Sequence, residues 1–352
     1  MRAFDVIGVA FVSSCMLVIL LSPLCERLGH VDTPGGRKQH AFPTPLAGGL
    51  AIALSIVLIG LTTGISSQIY GFALGVGMLA VLGAVDDHKY IPAVVRLTVQ
   101  TLAVAVGMYT LGGVRLTSVG DLLGAGIIDL GPWSLPFTLF AAVGIINAIN
   151  MIDGVDGLAG GFAVMVFGVI LGLAGHTSMI SVMLLYLSLG SVAGFLLFNI
   201  RLPWRHHARV FLGDAGSLVL GYMLVWFAIE ATQGYVAVMR PITAVWLFGL
   251  PLMDTLYLMG ARLLRGENPL SADRRHFHHL LLRSGFTPGW VFCIWLLVAA
   301  GFIAVGVGGE QANLSEALMC AVFLLVLSGY CALMTVLWRR AEPVQVKVPK
   351  ES

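Results

Sequence analysis

The feature that most constrains this chain is the bunching of its few charges, which leaves long apolar runs uninterrupted between them. A run of about 18 or more such residues crosses the roughly 30 Å hydrocarbon layer of a bilayer as a helix. Helix is required because lipid offers no partner to a bare backbone N–H or C=O. Eleven runs qualify, at about 3–24, 45–63, 68–84, 92–111, 132–149, 158–175, 178–200, 210–230, 241–261, 289–308 and 315–338. The third and fifth are short and punctuated by glycine, and without one of them the count is ten. The expected fold is therefore an all-α polytopic membrane protein: one multi-helix domain over 1–340 and a short tail over 341–352. Charged residues make up 11% of the chain, against about 25% in an ordinary soluble domain, and no stretch is long enough to fold separately in water.

The first run is expected to be retained, because a cleaved signal needs a basic start and a small-residue exit. Here only Arg2 precedes it, and apolar residues continue past Cys15 to Leu24. The five cysteines lie in or beside the runs with no CxxC pair. They read as small apolar residues rather than as a disulfide framework or zinc site.

Positive residues stay on the cytoplasmic side during insertion. With eleven spans, every lysine and arginine falls on one side except Arg2, Arg115 and Arg240. This predicts the N-terminus outside and the C-terminus in the cytoplasm. Asp32, Asp86, Asp87, Asp153, Asp156, Asp214, Glu267 and Asp273 share the positive side, as does every histidine but His176. Insertion does not require that, since acids contribute little to topology. Charged chemistry at the cytoplasmic face is the expectation. The net charge of +2 is too small to point to nucleic acid.

Asp86-Asp87 follows the third run. Adjacent carboxylates repel, so holding both ionised favours a nearby cation, and Mg²⁺ takes one or two carboxylates plus water and substrate phosphates. Solvated acids at a helix end would also account for the pair. A DDxxD reading fails because Tyr90 stands where the third acid belongs. Asn150-Met151-Ile152-Asp153-Gly154-Val155-Asp156-Gly157 joins runs five and six, with Asp153 and Asp156 three apart and able to share a helical face. Its glycines let backbone approach a ligand, although a plain turn has the same composition. It lacks the 12-residue loop and closing Glu of an EF-hand.

Gly213-Asp214-Ala215-Gly216-Ser217 opens the eighth run, with Asn199 near the end of the seventh. A carboxylate in a first helical turn is favoured by the dipole, so a simple cap is one reading. The GxGD of an intramembrane protease is absent, since Phe211 replaces its first Gly. Asp254 lies inside the ninth run, where an ionisable group is costly and faces the protein interior; it reads either as support for the site or as a helix-packing contact. Arg274-Arg275-His276-Phe277-His278-His279 suits phosphate and sugar oxygens, while a basic loop on anionic lipid is the alternative. Zinc is disfavoured there, with no Cys nearby in sequence. The loop Val31-Asp32-Thr33-Pro34-Gly35-Gly36-Arg37-Lys38-Gln39-His40 reads as a rigid turn beside a basic surface.

In order and sidedness these motifs, with Glu230-Ala231-Thr232-Gln233-Gly234 and Pro269-Leu270-Ser271, resemble the polyprenyl-phosphate N-acetylhexosamine-1-phosphate transferases. Within these the chain is most similar to the bacterial undecaprenyl-phosphate α-N-acetylglucosaminyl 1-phosphate transferases, from about Val31 to Thr287. The resemblance implies a multi-pass protein of the bacterial inner membrane with its site at the cytoplasmic surface. It implies transfer of GlcNAc 1-phosphate from UDP-GlcNAc to undecaprenyl phosphate, with release of UMP, as the first lipid-linked step of a cell-surface glycan. Mg²⁺ is the implied cofactor, with Mn²⁺ as a substitute. By the same resemblance Asp214 is a metal ligand assisted by Asn199, Asp86 activates the lipid phosphate with Asp87 beside it, Asn150, Asp153 and Asp156 hold the nucleotide, and Arg274, His276, His278 and His279 hold the sugar and pyrophosphate. Tyr90 stands where relatives often carry another Asp.

The lipid tail requires a site open sideways to the bilayer, hence an apolar groove between helices. The rivals are the same chemistry with another UDP-N-acetylhexosamine, such as a 6-deoxy sugar or a muramoyl-pentapeptide, and a secondary transporter. Transporters place ionisable groups near the midplane, often in repeated halves; here the acids gather at one surface and no repeat shows. A homo-oligomer stays open.

Overall fold

The computed structural model describes residues 3–33, 43–62, 66–175, 182–201, 205, 207–234, 237–268 and 275–341. The chain begins with α1 (Ala3–Arg27), a short antiparallel pair β1 (Val31–Asp32) and β2 (Thr44–Pro45), then α2 (Gly48–Thr62) and α3 (Ser67–His88). Next come α4 (Ala93–Leu102), continued as a π-helix over Ala103–Leu111, then α5 (Ser134–Ile152), α6 (Leu158–Ala174), α7 (Val182–Asn199) and α8 (Gly213–Thr232). The remainder is α9 (Pro241–Leu247), α10 (Gly249–Leu264), the short α11 (Phe277–Arg283), α12 (Pro288–Gln311) and α13 (Glu316–Ala341). The protein is thus all-α and polytopic. The tail expected at 341–352 lies outside the described residues beyond Ala341.

Each of the eleven apolar runs forms helix, yet they are not eleven equal spans. Among the described residues, 8 helices are long and apolar enough to cross a bilayer, or 9 with α9 and α10 taken as one broken span. The second and sixth runs give the shorter helices α2 and α6, of 15 and 17 residues. At about 1.5 Å rise per residue neither alone reaches across about 30 Å. The ninth run is bent by 76° between Leu247 and Gly249.

Helix α8 is the axis of the bundle, with every residue from Ala215 to Thr232 buried. Close backbone approach explains how α2 and α3 reach it. A Cβ added at Gly49 would overlap the backbone of Gly216, and one at Gly83 would overlap Ala215. Small residues at such crossings are how membrane helices gain dispersion contact without a hydrophobic driving force. Farther along, Phe72, Trp226 and Phe227 form an aromatic knot, with the Phe72 and Trp226 rings edge-on at 5.0 Å. Edge-to-face contact suits ring quadrupoles.

Polar groups collect at the two ends of the bundle. At one end Gln68 donates to Glu230 at 2.9 Å, and Gln233 accepts from Thr117 and Ser118; Arg240 pairs with Glu310 at 3.0 Å. The other end gathers the C-termini of α3, α5 and α7 around the N-terminus of α8. All the acids of the sequence motifs that fall on those elements meet there.

Candidate active site

The site is organised by the first turn of α8, whose backbone N–H groups have no partner inside the helix. The partner comes from another helix: one Asp87 carboxylate oxygen accepts the Asp214 N–H at 2.9 Å and the other accepts the Ala215 N–H at 3.3 Å. Gly213 makes this fit, because its φ of +69° is left-handed and a Cβ would press on Asp87. The next residue in, Asp214, accepts the Asn150 amide at 2.7 Å, and the same amide nitrogen reaches Ser217 Oγ at 2.8 Å.

Asp153 ends α5 and sits close enough to Asp214, Asp87 and Asp156 to feel their charge. Burial, reinforced by those three carboxylates in that order, pushes its carboxyl well above the usual range. A buried concentration of negative charge of this kind is stable only when neutralised by protons or a cation. The donors are all carboxylate oxygens, which suit a hard divalent ion. Among the described residues no three His, Cys, Asp or Glu side chains stand at ligand spacing to one another.

Asp156 faces the other way. It pairs with Arg201 Nε at 2.7 Å and accepts the Ala208 N–H. Beside it opens a cavity of about 340 Å³ lined by Asp156, Arg201, Ile200, Trp290 and Phe292 among others. Asn199 is buried, and its amide is committed to two backbone groups: its oxygen accepts the Gly157 N–H at 2.7 Å and its nitrogen donates to the Val210 carbonyl at 2.8 Å. That geometry ties the Asp153–Gly157 turn to the irregular segment leading into α8, a different task from the metal ligation that resemblance implies.

Asp86, expected to act on the lipid phosphate, has both oxygens engaged: one accepts the Ile91 N–H at 2.8 Å and the other pairs with Arg96 at 2.9 Å. Arg96 is a residue that sequence reasoning left among the topology charges. Its partnership is legible only after the turn at residues 89–92 brings α4 back against α3. Asn147, one helical turn from Asn150, donates to the buried Gln100 at 2.7 Å and so ties α5 to α4.

The histidines reach the same end from α11. His276 Nδ1 lies 2.8 Å from an Asp254 oxygen. His278 lies against Gly154, where a Cβ would overlap its Nε2. Both His278 ring nitrogens are buried without a hydrogen bond, and burial, with His279 and His276 adding to it, pushes its pKa well below the usual value. His278 is therefore neutral at pH 7, with one N–H to offer a ligand. His279 packs on His278 with centroids 4.2 Å apart. Arg274, with Arg37, Lys38 and His40, lies outside the described residues. The structure thus brings Asp86, Asp87, Asn150 and Asp153 together around Asp214, with His278 against Gly154 beside them and with Asp156 and Asn199 bound into the walls.

A family model for glycosyl transferase family 4 matches residues 69–232. An undecaprenyl-phosphate α-N-acetylglucosaminyl 1-phosphate transferase from Yersinia pestis is 37% identical over 328 residues, covering 91% of this chain and 89% of that protein. The chain belongs to glycosyl transferase family 4. Relatives of the same name from Escherichia coli K12 and Haemophilus influenzae are 34% and 32% identical, covering 93% and 95% of this chain and 90% and 94% of their own lengths. The family segment contains Asp86, Asp87, Asn150, Asp153, Asp156, Asn199 and Asp214 and stops before Asp254 and the histidines, which the full-length relatives span. The resemblance read from the motifs is met by these family relatives.

Proposed function

We propose that the protein transfers GlcNAc 1-phosphate from UDP-GlcNAc to undecaprenyl phosphate, giving undecaprenyl-diphospho-GlcNAc and UMP. The observation that carries this reading is the meeting of Asp87, Asp153 and Asp214 at the α8 N-terminus, beside a buried histidine. Full-length similarity to transferases of that name supports it. The site lies at the bundle end that the positive-inside bias assigns to the cytoplasm, in the inner membrane.

In the reaction an oxygen of the lipid phosphate attacks the sugar-bearing phosphorus of UDP-GlcNAc. The new O–P bond forms as the bond to the bridging oxygen breaks, and that oxygen leaves on UMP. The acceptor's second pKa is about 6, so it is mostly dianionic at pH 7 and needs no strong base. The obstacle is bringing one anion onto another. Asp214 and Asp153 are the residues that would hold Mg²⁺, whose charge, when bound, neutralises phosphate oxygens as the new bond forms. Asn150 turns Asp214, Asp87 holds the start of α8, and the Asp156–Arg201 pair walls the cavity that takes the nucleotide. His278 offers a neutral donor to the sugar phosphate. Breaking one phosphoanhydride while making another leaves the reaction readily reversible.

The test is to give membrane vesicles radiolabelled UDP-GlcNAc, undecaprenyl phosphate and Mg²⁺, with other UDP-N-acetylhexosamines in parallel. Labelled lipid with equimolar UMP is the expected result. Label accumulating inside vesicles with no lipid product would overturn the reading in favour of transport.

A further inference from the structure

Asp254 is a carboxylate in the interior of α10, 1% exposed, where lipid-depth burial makes an unpartnered charge costly. It is fully engaged by three groups from two other elements. His276 Nδ1 lies 2.8 Å from one oxygen. The Phe277 N–H donates to the other at 3.0 Å, and the Tyr330 hydroxyl of α13 donates to that same oxygen at 2.8 Å. The contact is a hydrogen bond from His276 to the carboxylate when the imidazole carries a proton on Nδ1. Phe277 is the first residue of α11, so its N–H is one of the donors a helix start leaves free. From this fixed point the imidazoles pass inward as a stack. The rings of His276 and His278 are within 9° of parallel with centroids 5.6 Å apart, and His278 rests on Gly154 beside Asp153.

Resting on the transferase reading, we infer that Asp254 and Tyr330 are positioning residues for the sugar-nucleotide donor. They lock the tautomer of His276 and the register of α11, and so aim His278 at the Asp153–Gly154 turn. A helix of 7 residues is too short to hold itself in water or lipid. Without the clasp, nothing in its own hydrogen bonding fixes which face meets the site. The arrangement makes α13 a contributor to the site through Tyr330 alone, by way of Asp254.

The test compares the full-length enzyme with Asp254→Asn, Tyr330→Phe, His276→Ala and the Asp254→Asn/His276→Ala double variant in nanodiscs. Asp254→Asn is isosteric and can still accept from Phe277 and Tyr330, but its amide forces His276 to the other tautomer. Losing that geometry raises the donor KM by about 5- to 20-fold, the scale of one or two hydrogen bonds, with the acceptor KM unchanged. In the double variant the two effects do not add. A merely structural role would reduce the folded fraction and leave both KM values unaltered; that result overturns the proposal, as does simple additivity. Should Asp254→Asn fail to fold, Tyr330→Phe decides: a smaller rise in donor KM supports the clasp, and no rise overturns it. If the wild-type enzyme makes no lipid-linked product, the transferase reading fails by itself. Unaltered amide exchange over residues 277–283 in Asp254→Asn would then overturn the clasp independently.

Discussion

The Asn150 amide holds one oxygen of the Asp214 carboxylate at 2.7 Å, so the orientation of the central acid of α8 is decided by α5. Replacing Asn150 by Ala leaves Asp214 in place but free to rotate. A misplacement of about 1 Å costs on the order of 10²-fold in rate, and a fall in kcat of that size at an unchanged melting temperature is the expected outcome. Asp214→Asn should abolish turnover; a fully active variant would remove Asp214 from the proposed metal site.

Asp87 acts first on the backbone. Asp87→Ala leaves the Asp214 and Ala215 N–H groups unpartnered in a buried turn, at a cost of about 1–3 kcal/mol. The melting temperature of the detergent-solubilised protein should fall along with activity. A variant inactive but as heat-stable as wild type would show that Asp87 does not serve as the cap of α8.

For Asp86 the structure and the resemblance lead to different experiments. Because both its oxygens are engaged, by Ile91 and Arg96, Asp86→Asn and Arg96→Gln should lower kcat by similar factors, through the seating of α4. Should Asp86→Asn prove far worse than Arg96→Gln, the carboxylate would have to be acting on the lipid phosphate.

Chelation gives a fourth check. EDTA should abolish transfer and Mg²⁺ restore it, with Asp153→Asn requiring a higher Mg²⁺ concentration for half-maximal rate than wild type. Undiminished turnover in excess EDTA would sink the metal reading.

The helices and the sidedness of the acids were legible in the sequence because burial in lipid leaves a run-length signature that few other folds share. The bend between α9 and α10 was not. Hydropathy averages over a window, and residues 241–261 are apolar on both sides of Phe248. Nor did it reveal that α2 starts only at Gly48, since the apolar residues before a helix look like the helix itself, whereas α6 matches its run to within one residue. Among site residues, the motifs pointed to Asp153 and Asp214 but not to what holds them. The Asn150–Asp214 bond spans 64 positions and the Tyr330–Asp254 bond 76, distances over which local pattern carries no information. Asp254 was recognised as anomalous, but its partners on α11 and α13 lie 22 to 76 positions away, beyond the reach of local pattern.

The complete enclosure of α8 has a consequence for the host membrane. Changes in bilayer thickness are absorbed by tilt and distortion of helices that touch acyl chains, and α8 touches none. The element that carries Asp214 is shielded from mismatch by a jacket of neighbours, so reconstitution in lipids of different chain length should alter how the outer helices lean more than how fast the sugar phosphate moves.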